Sequence, residues 1–156
     1  MLEHLKAHLT GKVVILGIGN TLRSDDGVGS ILAGRIKGKV PYTVYDAGPS
    51  PENYLGKIIN EKPDNVVIID AVDFRGNAGE FKVLEAKDIE TVNLFSTHNA
   101  SITLLINYLQ SNLKVDIIIL IIQPKSIVLG DKLSPELAES LSKLEDWFYA
   151  TSKKEG

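Results

Sequence analysis

Two adjacent carboxylates, Asp25 and Asp26, follow a strand-like run that stops at glycines, Val13-Val14-Ile15-Leu16-Gly17-Ile18-Gly19. A second β-branched run, Val66 to Ile69, also ends in acid, at Asp70 and then Asp73. His98 lies in Ser96-Thr97-His98-Asn99, just ahead of a helical pattern. Two aspartates and an imidazole with open positions suit a divalent transition ion and leave room for a substrate. The pairing has a cost, because two carboxylates about 5 Å apart at an effective dielectric of about 20 repel by roughly 3 kcal/mol. A proton, a cationic neighbour such as Arg23 or a bound metal ion would each offset it, and the last is the functional reading.

Other side chains have blander explanations. Asp25 suits the first turn of a helix with no further purpose, Asp73 can begin a turn, and Asn20 can bond across its loop. Asp46 either acts as a base or orients the turn at Gly48, a strand-end acid bonding locally. His4 and His8 are four apart, a spacing that can bind a metal. No third ligand lies near them in the sequence, so a short surface helix packed by Leu2, Leu5 and Leu9 is preferred. The chain has no cysteine, and no serine sits in a G-x-S-x-G elbow. Hydrolysis by an activated water is therefore the better chemical class.

The elements that must position these groups alternate. Val13 to Leu16 reads as a strand buried on both faces, and Ser24 is a good N-cap for a helix with Val28, Ile31, Leu32 and Ile36 as its stripe. Tyr42 to Asp46 is a second strand and Pro51 to Asn60 a helix. Val66 to Ile69 is a third strand, and Phe81 to Leu84 a short one, antiparallel at the edge. A helix carrying Ile102, Leu105, Ile106 and Leu109 precedes the strongest strand, Val115 to Ile122. Ser134 and Pro135 open a last helix, with residues 153–156 expected to fray. The expected fold is an α/β three-layer sandwich, a mostly parallel twisted sheet of about five strands with helices on both faces. A 2-1-3 strand order puts the topological switch point between the first and third strands, with Asp26 after one and Asp70 at the end of the other.

At 156 residues and 44% apolar composition the chain is one domain's worth, residues 1–11 forming an N-terminal extension. A net charge of -3 without basic clusters argues against nucleic acid. No run approaches the roughly 20 residues needed to cross a bilayer. The absence of cysteine suits the cytoplasm, and a monomer is expected. A dinucleotide turn fits Gly17 and Gly19, but Leu22 takes the third glycine position and the two aspartates sit where a phosphate would bind.

The ordered set Gly17-Ile18-Gly19-Asn20, Asp25-Asp26-Gly27-Val28-Gly29, Asp46-Ala47-Gly48, Ile69-Asp70-Ala71-Val72-Asp73, Ser96-Thr97-His98-Asn99 and Gln123-Pro124 resembles the nickel-iron hydrogenase maturation proteases. The pattern around Asp46 to Asn53 and His98 is most similar to the formate-hydrogenlyase (hydrogenase 3) type. The resemblance implies an endopeptidase that removes a short C-terminal extension from the hydrogenase large-subunit precursor once nickel has been inserted, so that the hydrogenase active site can close. It matches the family's metal-contacting residues to Asp26, Asp70 and His98, with nickel supplied by the precursor, and gives no role to the segment before Lys12. Two competing readings are a nucleotide-binding α/β enzyme with Asp46 on a ribose, and a non-enzymatic adaptor that reads nickel and leaves the precursor uncut.

Overall fold

In a computed structural model, the structure describes residues 1–89 and 99–155, with side chains at 99–101 and 154–155 left aside. His98 lies outside the described residues. Five strands, β1 (Val13–Ile18), β2 (Thr43–Gly48), β3 (Asn65–Ala71), β4 (Phe81–Glu85) and β5 (Asp116–Ile122), form one sheet in the order β2-β1-β3-β5-β4. β1 pairs in parallel with β2 and β3, β3 with β5, and β4 alone runs antiparallel, on the outer edge of β5. The expected 2-1-3 order and antiparallel edge strand are both present.

Every residue of β1 and of β3 is buried, as the uninterrupted apolar runs require of strands covered on both faces. Alternate side chains point to opposite sides. Val13, Ile15, Val67, Ile69, Ile118 and Leu120 pack against α2 (Val28–Ile36) and α5 (Pro135–Glu155). Val14, Leu16, Val66, Ile68, Ile117 and Ile119 pack against α3 (Leu55–Glu61) and α4 (Asn99–Asn112). Helix α1 (Leu2–Ala7) joins the first layer through Leu5, and Leu9 just beyond its end joins it too, both buried. The expected surface helix packed by its leucines is therefore present.

One local expectation differs. Ser24 does not cap α2. It opens a 3-10 turn at Ser24–Gly27 in the left-handed region, φ +54°, and donates its hydroxyl to Val128 O at 2.7 Å. The helix proper begins at Val28 behind Gly27. A distant loop thus claims the hydroxyl that a local cap would have used. Helix α5 extends to Glu155. Buried Thr151 and a bond from Ser152 Oγ to Phe148 O at 2.7 Å accompany its last turns. Among the described residues no helix is long and apolar enough to cross a membrane.

Candidate active site at the β1–β3 crevice

The glycines around β1 are there for close approach. A methyl group on Gly17 would collide with Ala33 and with the backbone of Gly29, and one on Gly29 with the carbonyls of Ile18 and Ile69. One on Gly19 would strike the carbonyl of Asp26. Helix α2 therefore lies directly on β1 and β3, and its N-terminal end sits over Ile69, one residue from Asp70. The Ser24–Gly27 turn that precedes it carries Asp26 onto the same end of the sheet. Ligands in parallel α/β sheets bind at this carboxyl end, beside the strand order's reversal.

Asp26 is 5% exposed and Asp70 fully buried. Asp26 Oδ2 accepts the Asn20 N–H at 3.1 Å, across the glycine turn. Asp70 lies in β3 opposite Ile121 of β5 and, by alternation, on the α3/α4 face. That is the face on which α4 starts at Asn99, one residue after His98. Removing two carboxylates from water is expensive unless positive charge or donors meet them.

The neighbouring polar groups sort differently. Asp25, equally buried, accepts four hydrogen bonds from the chain after β5: Lys125 N at 2.9 Å, Ser126 N at 3.1 Å, Ser134 N at 2.8 Å and Ser134 Oγ at 2.8 Å. It fastens the β5–α5 connection, a role that its place beside a helix start does not disclose. Asp46 Oδ1 accepts from the Ser30 hydroxyl and from Gly48 N, the latter at 3.2 Å. It thus orients the Gly48 turn, the blander of its two readings. Asp73 Oδ1 accepts from Arg75 N at 2.9 Å, and Asn20 Oδ1 from Leu22 N at 3.0 Å, each closing a local turn. The Arg75 bond, followed by one from the Gln123 amide, holds the Asp73 carboxyl below the usual range.

Gln123 directly follows β5. Its Oε1 accepts Phe74 N and Gly76 N, both at 2.9 Å, and its Nε2 donates to Asp73 at 3.0 Å. One carboxamide therefore braces the loop leaving Asp70. The only sequence signal was a polar residue ending a buried strand just before proline.

The rim is apolar. Ser24 N donates to Gly130 O at 2.8 Å, Asp25 N to Ser126 O at 3.0 Å and Gly130 N to Leu22 O at 2.9 Å, so residues 126–130 are laced to residues 22–25. This lacing holds out Leu22, Val128 and Leu129, which are 67%, 66% and 78% exposed. A surface recess of about 1030 Å³ lies at the other end of the sheet among Lys12, Lys39, Tyr42 and Tyr149, with no carboxylate or imidazole among the described residues that line it.

The family model of the hydrogenase maturation protease (HycI) matches residues 28–149. The chain belongs to the hydrogenase maturation proteases. The hydrogenase 3 maturation protease of Escherichia coli K12 is 30% identical over 140 residues, covering 86% of this chain and 89% of that protein. The [NiFe] hydrogenase maturation protease HycI of Thermococcus kodakarensis, in a crystal structure, superposes with a TM-score of 0.84 at 33% identity, over 96% of this chain and 99% of that one. The solution structure of the endopeptidase HycI from E. coli gives 0.75 at 25% identity, over 89% and 90%. As a hydrogenase maturation protease the chain is a peptide-bond hydrolase, and the five-stranded α/β sandwich is the fold of its relatives. The model's match begins at Val28, so it spans Asp70 and His98 but starts two residues after Asp26.

Proposed function

We propose that this maturation protease removes the C-terminal extension of a nickel-loaded [NiFe]-hydrogenase large-subunit precursor, and that Asp26, Asp70 and His98 complete the coordination of the precursor's nickel. The observation that supports the reading is the burial of two carboxylates, Asp26 in the turn after β1 and Asp70 in β3, with α4 starting one residue after His98. Nickel is part of the substrate in this scheme. A precursor lacking it brings no positive charge to the two acids and docks poorly, so loading is sensed by electrostatics.

With no cysteine in the chain and no serine in a nucleophile elbow, water is the attacking group. A carboxylate of the crevice accepts a proton from that water as it adds to the scissile carbonyl, and the proton then passes to the leaving amine. The buried setting strengthens every charge interaction at the site. Exposed Leu22, Val128 and Leu129 give the precursor an apolar surface beside the crevice.

Purified protein incubated with nickel-loaded and nickel-free precursor should cut the loaded form alone. Asp26→Asn, Asp70→Asn and His98→Ala should each abolish cutting while circular dichroism stays native. Binding of loaded precursor without cleavage would favour a nickel-reading adaptor, and indifference to both forms, with a melting temperature raised by nucleotide, the nucleotide enzyme. Normal processing by His98→Ala would end the three-ligand scheme.

A further inference from the structure

His4 and His8 acquire in the fold the third ligand that the sequence lacks nearby. Glu85, the last residue of β4, reaches α1, where His4 Nε2 stands 3.4 Å from Glu85 Oε1. One ligand atom from each of the three residues lies within 4.8 Å of the other two. The imidazole rings of His4 and His8 meet edge to face, 5.3 Å between centroids. We propose that His4, His8 and Glu85 form a second divalent-metal site, of the zinc-binding class, that clamps α1 to the end of β4 with water in the remaining position.

The tautomer of His8 can be read from its neighbours. Asn65 Nδ2 donates to Thr10 O at 2.9 Å, and a carbonyl can only accept, so the amide nitrogen is fixed on that side. Asn65 Oδ1 therefore faces His8 Nδ1, 3.3 Å away, and needs a hydrogen there. That leaves the Nε2 lone pair for a metal, with the carboxamide as the outer partner that orients a ligating histidine. Glu85 is prepared too. The Lys87 ammonium bonds its other oxygen, Oε2, at 3.2 Å, leaving Oε1 toward the histidines. Lys87 is 77% exposed, and its charge is largely screened by water.

Two imidazoles and one carboxylate are a familiar zinc donor set, and distances of about 2.1 Å to the metal call for a contraction of roughly an ångström between ligands. Half-exposed His4 and Glu85 can move that far by rotation about their side-chain bonds. The site is separate from the crevice. Because β4 is antiparallel, Glu85 pairs with Ile118 while Asp70 pairs with Ile121. The two acids lie about 10 Å apart along the strands and about 10 Å apart across them. Alternation also turns them to opposite faces, Glu85 with Phe81 and Val83 toward the α1 layer.

Zinc(II) titrated against a chromophoric chelator, using the full chain, should show one equivalent bound. His4→Ala, His8→Ala and Glu85→Gln should each weaken it at least tenfold. Asp70→Asn should leave it unchanged. Zinc should also raise the melting temperature of the parent and not that of Glu85→Gln, which keeps the volume of the side chain and the packing of α1. Absence of a zinc equivalent, full affinity in Glu85→Gln, or loss of binding in Asp70→Asn would each overturn the proposal.

Discussion

Asp25 and Asp26 are adjacent, chemically identical and both buried, yet their surroundings give them different work. Asp25 spends its carboxylate on four donors of the β5–α5 connection. Asp26 accepts the Asn20 N–H across the glycine turn. Replacing Asp25 by Asn turns an amide group toward N–H donors and removes charge-assisted bonds. Asp25→Asn should therefore cost roughly 3 kcal/mol in urea unfolding. Asp26→Asn should unfold close to the parent while losing processing. Equal unfolding midpoints for the two variants would refute this division. The sequence offers helix-start chemistry as the plain reading of Asp25, whereas its carboxylate fastens the β5–α5 connection. The sequence could not show that Asp25 was bonded to Ser134, 109 positions away, because no local pattern records such a partner.

At the scale of elements, α2 is seated by glycines, and the same substitution should have opposite signs along one helix. An alanine in place of a helical glycine gains up to about 1 kcal/mol in backbone propensity. At Gly34 the new methyl would meet only Asp46 Oδ2, at an ordinary 3.7 Å, so Gly34→Ala should raise the melting temperature. At Gly29 it would drive into the carbonyls of Ile18 and Ile69, backbone that cannot give way. Gly29→Ala should cost about 2 kcal/mol net or more by overpacking, read by thermal unfolding of the pair side by side. The strands were legible because a parallel sheet covered on both faces demands unbroken apolar runs, as in Val66 to Ile69 and Ile117 to Ile122. The 3-10 turn at Ser24–Gly27 was not. Ser24 has the side chain of a good cap, and only the bonds from Ser24 to Val128 and Gly130 pull it away.

Across the whole molecule the two ends of the sheet differ in character. The carboxyl end of β1 and β3 holds the acids and an apolar rim, while the opposite end gathers the N-terminal helix, two histidines and Glu85. If the rim receives the precursor, Leu129→Asp should raise KM several-fold with little change in kcat. Its thermal stability should stay within about 0.5 kcal/mol, because a side chain 78% exposed packs on little. An unchanged KM would remove the rim from recognition. The far end was the least legible part, since Glu85 is 77 positions from His8 and meets it only because β4 runs against β5.

If the rim receives the precursor and Asp26 acts on it, the lacing of residues 126–130 to residues 22–25 makes grip and chemistry share one lever. A partner pressing on Val128 or Leu129 pushes, through Ser24 and Asp25, on the peptide that carries Asp26. Seating the right protein and aligning the acid are then one motion. Exchanging that short tip between relatives would exchange clientele while the hydrolytic apparatus beneath stayed the same.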